Sequence, residues 1–144
     1  MFWFDKNDSR AVFGDIRNED HILCDGRSLK ISPDIEMDFR SMPFDDSIFN
    51  LVVFDPPHLK DAGKNGWQAK KYGVLRENWR EDLTRGFSEC FRVLAPNGVL
   101  IFKWCEDQIP TKEVLSLAKE KPLFGHISGK RAKTHWVTFI KGQS

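Results

Sequence analysis

The chain has 144 residues, 40% of them hydrophobic and 30% charged, and its 22 Lys/Arg nearly balance 21 Asp/Glu. Mean hydropathy is −0.46, and no apolar run approaches the ~20 residues of a membrane span, so the expectation is one domain, residues 1–144, away from the membrane. The three cysteines (Cys24, Cys90, Cys105) form no CxxC pair, which argues against a zinc site or a disulfide framework and for a reducing cytoplasm.

Met1-Phe2-Trp3-Phe4-Asp5 lacks the basic-then-apolar order of a signal peptide. Val12-Phe13, Ile22-Leu23-Cys24 and Ile35-Glu36-Met37 are short strand candidates, followed by Asp15, Asp25 and Asp38. Leu51-Val52-Val53-Phe54 then reads as a buried parallel strand ending at Asp55. Four strands tipped by aspartates would line one sheet edge with carboxylates. The segment 61–78 is polar and glycine-containing. Trp79, Leu83, Phe87, Cys90, Phe91 and Leu94 recur at helical spacing, and Pro96-Asn97-Gly98 reads as a stop. Val99–Phe102 is a second buried strand, and Thr111 can cap a short helix carrying Val114, Leu115 and Ala118. Leu123-Phe124 and Trp136–Ile140 close the chain as two strands around a basic turn. The order predicts an α/β fold with a mostly parallel sheet and an antiparallel end.

Asp55-Pro56-Pro57-His58 carries the chemistry. Proline has no N–H, so both prolines lie past the strand end, where open parallel sheets bind ligands. Asp55 and the Pro56 carbonyl can accept the two hydrogens of a planar –NH2 group. Holding both favours pyramidalisation and aims the nitrogen lone pair at an electrophile. His58 serves better as a stacking surface than as a general base.

These residues resemble the Asp/Asn/Ser-Pro-Pro-aromatic motif of the amino-methyltransferases. These are class I S-adenosylmethionine enzymes that methylate exocyclic amines, mostly adenine N6 in DNA or RNA. The flanks agree. Asp38 through Val53 is similar to D-x-x-x-L-P-F-x-D-x-S-F-D-x-V, and Arg92 through Ile101 to R-x-L-K-P-G-G-x-L, so the matches cover roughly residues 34–104. The resemblance implies a Rossmann-like class I methyltransferase sheet, reduced at its N-terminal side, with S-adenosylmethionine as methyl donor. It also implies that Asp38 accepts from the cofactor's adenine amine beside Phe39, with Met42 or Phe44 packing on that adenine. Asp25 would hold the ribose, although Asp25-Gly26-Arg27 reads equally as a hairpin turn. The family's glycine-rich first loop, E/D-x-G-x-G, is absent. Phe13-Gly14-Asp15 is its one remnant, with Asp15 assigned to the cofactor's amino group.

Charge is unevenly spread. Residues 1–50 hold 6 Lys/Arg and 11 Asp/Glu, a net −5, whereas residues 121–144 hold 5 basic and no acidic residues. An acidic half suits a cationic ligand and a basic end a polyanion, with solvated faces as the plain alternative. Lys60, Lys70 and Lys71 interleave with Trp67 and Tyr72 in a pattern that suits a single-stranded or flipped nucleic acid. Lys130, Arg131 and Lys133 suit phosphate contact. His126 and His135 lack a third ligand for a metal. The expected partner is a nucleic acid substrate, and self-association into a dimer would broaden its docking surface. Two alternatives stay open: methylation of a small-molecule or protein amine, and a degenerate domain that binds and transfers nothing.

Overall fold

The computed structural model describes residues 2–63, 66–128 and 133–143, with the backbone alone at Tyr72 and Ser128. Its main sheet has four strands: β5 (Phe49–Phe54), β6 (Leu94–Cys105), β7 (Phe124–Ser128) and β8 (Thr134–Ile140), in the order β5-β6-β8-β7. β5 and β6 run parallel, with Val52 opposite Leu100 and Phe54 opposite Phe102. β8 is antiparallel to both its neighbours. The parallel pair carries the Asp55 tip, and the antiparallel end lies at the far edge, as the order of elements predicted.

Helix α2 (Trp79–Val93) covers one face of this sheet. Its buried stripe of Trp79, Leu83, Phe87, Cys90 and Val93 follows the predicted period, and Glu81 and Asp82 in its first turn complement the helix dipole. From Gly98 onward burial along β6 alternates strictly, with Leu100, Phe102 and Trp104 facing the core. Gly86 permits the close approach: a Cβ there would stand 2.7 Å from both Phe39 Cδ2 and Phe54 Cζ.

The helix ends at Val93, and strand follows at once. Pro96-Asn97-Gly98 is therefore not a turn between helix and strand. It is a bulge within β6, lying between the pairs Phe49–Leu94 and Leu51–Val99. Asn97 takes the left-handed φ of 64° there, and Lys141 Nζ donates to the Leu94 carbonyl at 2.6 Å. Two short helices complete this half, α1 (Trp67–Tyr72) and α3 (Thr111–Leu115). Thr111 is the first helical residue of α3 and makes no side-chain cap.

The front of the chain is built differently. β1 (Gly14–Asp15) pairs parallel with β4 (Ile35–Glu36), and β2 (Glu19–Ile22) forms a hairpin with β3 (Ser28–Ile31). The four aspartate-tipped pieces thus belong to three separate sheets, and Val12-Phe13 precedes its strand. Asp25 sits in the β2–β3 turn, where Gly26 adopts φ 83°. Among the described helices none is long and apolar enough to cross a membrane.

Candidate active site

β5 delivers Asp55 at its carboxyl end. The prolines that follow cannot join a ladder, so the loop is held from outside. Leu59 is buried and its carbonyl accepts from Leu75 N–H at 2.8 Å. Gln108, on the β6–α3 connection, splints the next two residues. Its Oε1 accepts from Lys60 N–H at 2.6 Å and Asp61 N–H at 2.9 Å, and its Nε2 donates to the Asp61 carbonyl at 2.8 Å. Gly73, with φ 77°, lets the end of α1 abut the motif, because a Cβ there would lie 3.2 Å from Pro57 Cγ.

The Asp55 side chain keeps 41% of its surface open, yet protein crowds the carboxyl. That burial pushes its pKa up, against the pull of Lys103, whose Nζ stands 3.4 Å from Oδ2. Lys103 also lies over the rings of Phe2 and Trp136, at 5.1 and 5.8 Å from their centroids. His58 meets Trp104 edge-on at 6.4 Å, and burial lowers its pKa, which keeps the imidazole neutral at pH 7. Trp104 in turn donates Nε1–H to the Ile109 carbonyl at 2.9 Å, fixing the connection from which Gln108 projects.

A crevice of about 1150 Å³ runs along β5 to Asp55, Pro56 and Pro57 and is lined also by Asp15, Asp38, Phe39, Met42 and Phe44. The loop from Asp38 to Asp46 is pinned by α2. Arg92 donates to the carbonyls of Met42 (3.0 Å) and Phe44 (2.7 Å) and to Asp46 Oδ1 (2.8 Å), while Glu89 accepts from Met42 N–H at 2.7 Å. The Arg92 guanidinium holds the Glu89 carboxyl below its usual range.

The carboxylates expected around the cofactor share one pattern: each is paired with the arginine two residues on. Asp15 meets Arg17 at 3.0 Å, Asp25 meets Arg27 at 2.6 Å, and Asp38 meets Arg40 at 2.6 Å. Hydrogen bonds from these arginines hold the pKa of Asp25 and Asp38 down. Arg40 reaches on to Asp82 at 3.0 Å, and Arg17 donates to the Lys70 carbonyl at 2.8 Å. These pairs screen individual carboxylates but leave the segment's excess of acid in place, since residues 1–50 hold 6 Lys/Arg against 11 Asp/Glu.

The structure brings Asp15, Asp38, Phe39, Met42, Phe44, Asp55, Pro56 and Pro57 to one crevice and leaves other expected residues apart from it. Asp25 lies in its hairpin turn, the alternative that the Asp-Gly-Arg spacing already offered. His58 does not line the crevice. Lys60, Trp67, Lys70, Lys71 and Lys133 do not line it either, and Lys133 pairs with Asp107 at 3.4 Å. The side chain of Tyr72, and Lys130 and Arg131 altogether, lie outside the described residues. His135 meets Glu106 at 3.0 Å, and among the described residues no three His, Cys, Asp or Glu gather as metal ligands. Four residues that shape the site were not singled out for it: Lys103, Gln108, Glu89 and Arg92. Arg92 lay inside the R-x-L run. The others act across 47 or 48 residues, with no local pattern to betray them.

No family model matches the chain, and no curated protein matches it. Solved structures do. TTHA0409 from Thermus thermophilus, provisionally named a DNA modification methylase, superposes with a TM-score of 0.52 at 18% identity, over 75% of this chain and 52% of that one. PH0226 from Pyrococcus horikoshii matches with 0.51 at 15%, over 73% and 57%, and the [4+2]-cyclase SpnF with 0.51 at 14%, over 75% and 55%. The chain spans about half the length of these structures. At such identities the likeness is one of fold: an α/β fold with the mixed, Rossmann-like sheet of methyltransferases.

Proposed function

We propose that this chain transfers a methyl group from S-adenosylmethionine to an exocyclic amine of a nucleobase, with adenine N6 in DNA or RNA as the best fit. The observation that supports this most is that Asp55-Pro56-Pro57 ends a parallel strand and opens into the same crevice as the Asp38–Phe44 loop. The residues present fit the cofactor at its adenine end, where Asp38, Met42 and Phe44 line a crevice roomy enough for it. They supply no ribose carboxylate at Asp25. Bound there, S-adenosylmethionine would supply an electrophilic methyl on a sulfonium.

The chain's own part is positioning. Asp55 Oδ and the Pro56 carbonyl accept the two N–H groups of the acceptor amine and draw its lone pair out of conjugation. The raised pKa of Asp55 also suits it to receive the proton the amine loses. A base in a duplex must first be flipped out, at a cost of a few kcal/mol, and Lys60, Trp67, Lys70 and Lys71 next to the motif form the surface we assign to single-stranded or flipped nucleic acid.

A second reading, a domain that binds and transfers nothing, is favoured by the arginine held on each expected cofactor carboxylate. One experiment separates the two. The chain is incubated with methyl-labelled cofactor and DNA, RNA or cell extract, alongside calorimetry with the cofactor alone. Label in nucleic acid supports the first reading. No cofactor binding at millimolar concentration excludes it.

A further inference from the structure

We propose that Lys103 makes the acceptor site a charge filter, which admits a neutral planar amine and turns away an ammonium. The inference rests on the reading of Asp55 as the acceptor clamp and deepens it to a substrate class. Lys103 Nζ lies 3.4 Å from Asp55 Oδ2. The register of β6 and β8 sets Lys103 directly opposite Trp136, so their side chains share one face of the sheet. Phe2 packs edge-on to Trp136 at 4.9 Å and gives the ammonium a second ring. A carboxylate and two aromatic faces thus hold one cation at the acceptor carboxylate before any substrate arrives.

Two consequences follow from charge. Asp55 and Lys103 sum to zero, and His58, the titratable neighbour on the motif's own loop, is neutral at pH 7 because burial lowers its pKa. An alkylamine is an ammonium at neutral pH. To donate to Asp55 it must come within a few ångströms of Nζ, where like charges repel enough to change affinity by about tenfold. The exocyclic amine of a nucleobase carries no charge and meets no such repulsion. A carboxylate has about four lone-pair positions, so a lysine on one oxygen leaves acceptor capacity for the N–H groups of that amine.

The test uses Lys103→Met and Lys103→Gln, which remove the charge, and Lys103→Arg, which keeps it. Binding of adenosine and of n-butylammonium is followed by NMR titration without cofactor. Methyl transfer is measured separately, on an adenine-containing oligonucleotide and on a lysine-containing peptide. The filter predicts that Lys103→Met and Lys103→Gln bind n-butylammonium about tenfold tighter than the wild type. It also predicts that Lys103→Arg does not, and that adding Asp55→Asn erases the gain. Unchanged n-butylammonium affinity in both neutral variants overturns the filter. So does a wild-type chain that methylates the peptide as readily as the oligonucleotide, a result that leaves methyl transfer itself standing. A gain in n-butylammonium affinity with no transfer to any acceptor supports the filter and overturns the methyltransferase reading.

Discussion

The stretch before β5 and the half from β5 onward are held together by different forces. Among the described residues none before Phe54 is buried, and Ile22 is 77% exposed. Beyond it Leu83, Leu100, Phe102 and Phe139 are fully enclosed. The sheet half is stabilised by apolar burial. The front relies more on charge, locally through Asp-x-Arg pairs and across the molecule through Arg17, Arg40, Glu89 and Arg92, beside half-buried contacts such as Trp3–Phe13 and Phe39–Phe54. The proposed acceptor clamp thus stands on the half with full apolar burial, and the wall proposed for the cofactor stands largely on the other. The pairs across the molecule are partly buried, and Phe39 and Met42 pack against the core, so the cofactor side is held by charge and partial burial together rather than by full enclosure.

The sharpest way to break that contrast is Asp55→Ala. It is expected to lower methyl transfer by about a hundredfold to a thousandfold, with calorimetric affinity for the cofactor kept. Equal loss of both would move Asp55 to the cofactor side and erase the division. Core truncation comes next. Phe102→Ala is expected to destabilise by about 3–5 kcal/mol, whereas Ile22→Ala should stay within about 0.5 kcal/mol, both measured by denaturant unfolding. Arg92→Ala lies between them, at about 1–3 kcal/mol, because it strands the Met42 and Phe44 carbonyls and Glu89.

The same contrast explains what could be read before the structure. Val52 and Val53 followed by an acid and two prolines announce a buried strand tip, and the stripe from Trp79 to Val93 announces its helix, since burial imposes periods of 2 and 3.6. The front alternates half-buried and exposed residues from Ala11 to Arg17 and from Leu29 to Met37, but encloses none fully among the described residues, so its signal in the sequence is weak. Its strands are consequently displaced from the apolar pieces that suggested them, and Asp25 falls in a turn. Pro96-Asn97-Gly98 misleads for another reason: a bulge and a turn call for the same residues. Gln108 and Lys103 left no trace, since a side chain that acts 48 residues away has no local spacing.

Acidification probes both halves with opposite sign. Asp38 and Glu89 have lowered pKa values, caused first by hydrogen bonds from Arg40 and Arg92. Their contribution to stability is complete above the unfolded-state carboxylate range of about pH 4 and is lost as pH falls through the folded values. Asp55 is raised by burial. It weakens the fold where it is ionised, and that cost is relieved as pH falls through its folded pKa. Transfer should therefore fail first, at a pH above the usual aspartate range, while the fold persists to lower pH. A pH–rate profile set beside a pH-dependent unfolding series checks the order, and loss of fold before loss of transfer would refute it.

The smallest expected effect is the most discriminating. Asp25 sits in an exposed hairpin turn, paired with Arg27 and apart from the crevice. Asp25→Asn should leave melting temperature and cofactor affinity unchanged. The equivalent change at Asp38, whose carboxylate lines the crevice and joins Arg40 and Asp82 in one network, should weaken the cofactor. A drop in affinity for Asp25→Asn equal to that for Asp38→Asn would mean that the β2–β3 hairpin folds down over the crevice when the cofactor binds. The front would then be a moving wall, and its sparse burial would be the condition for that movement.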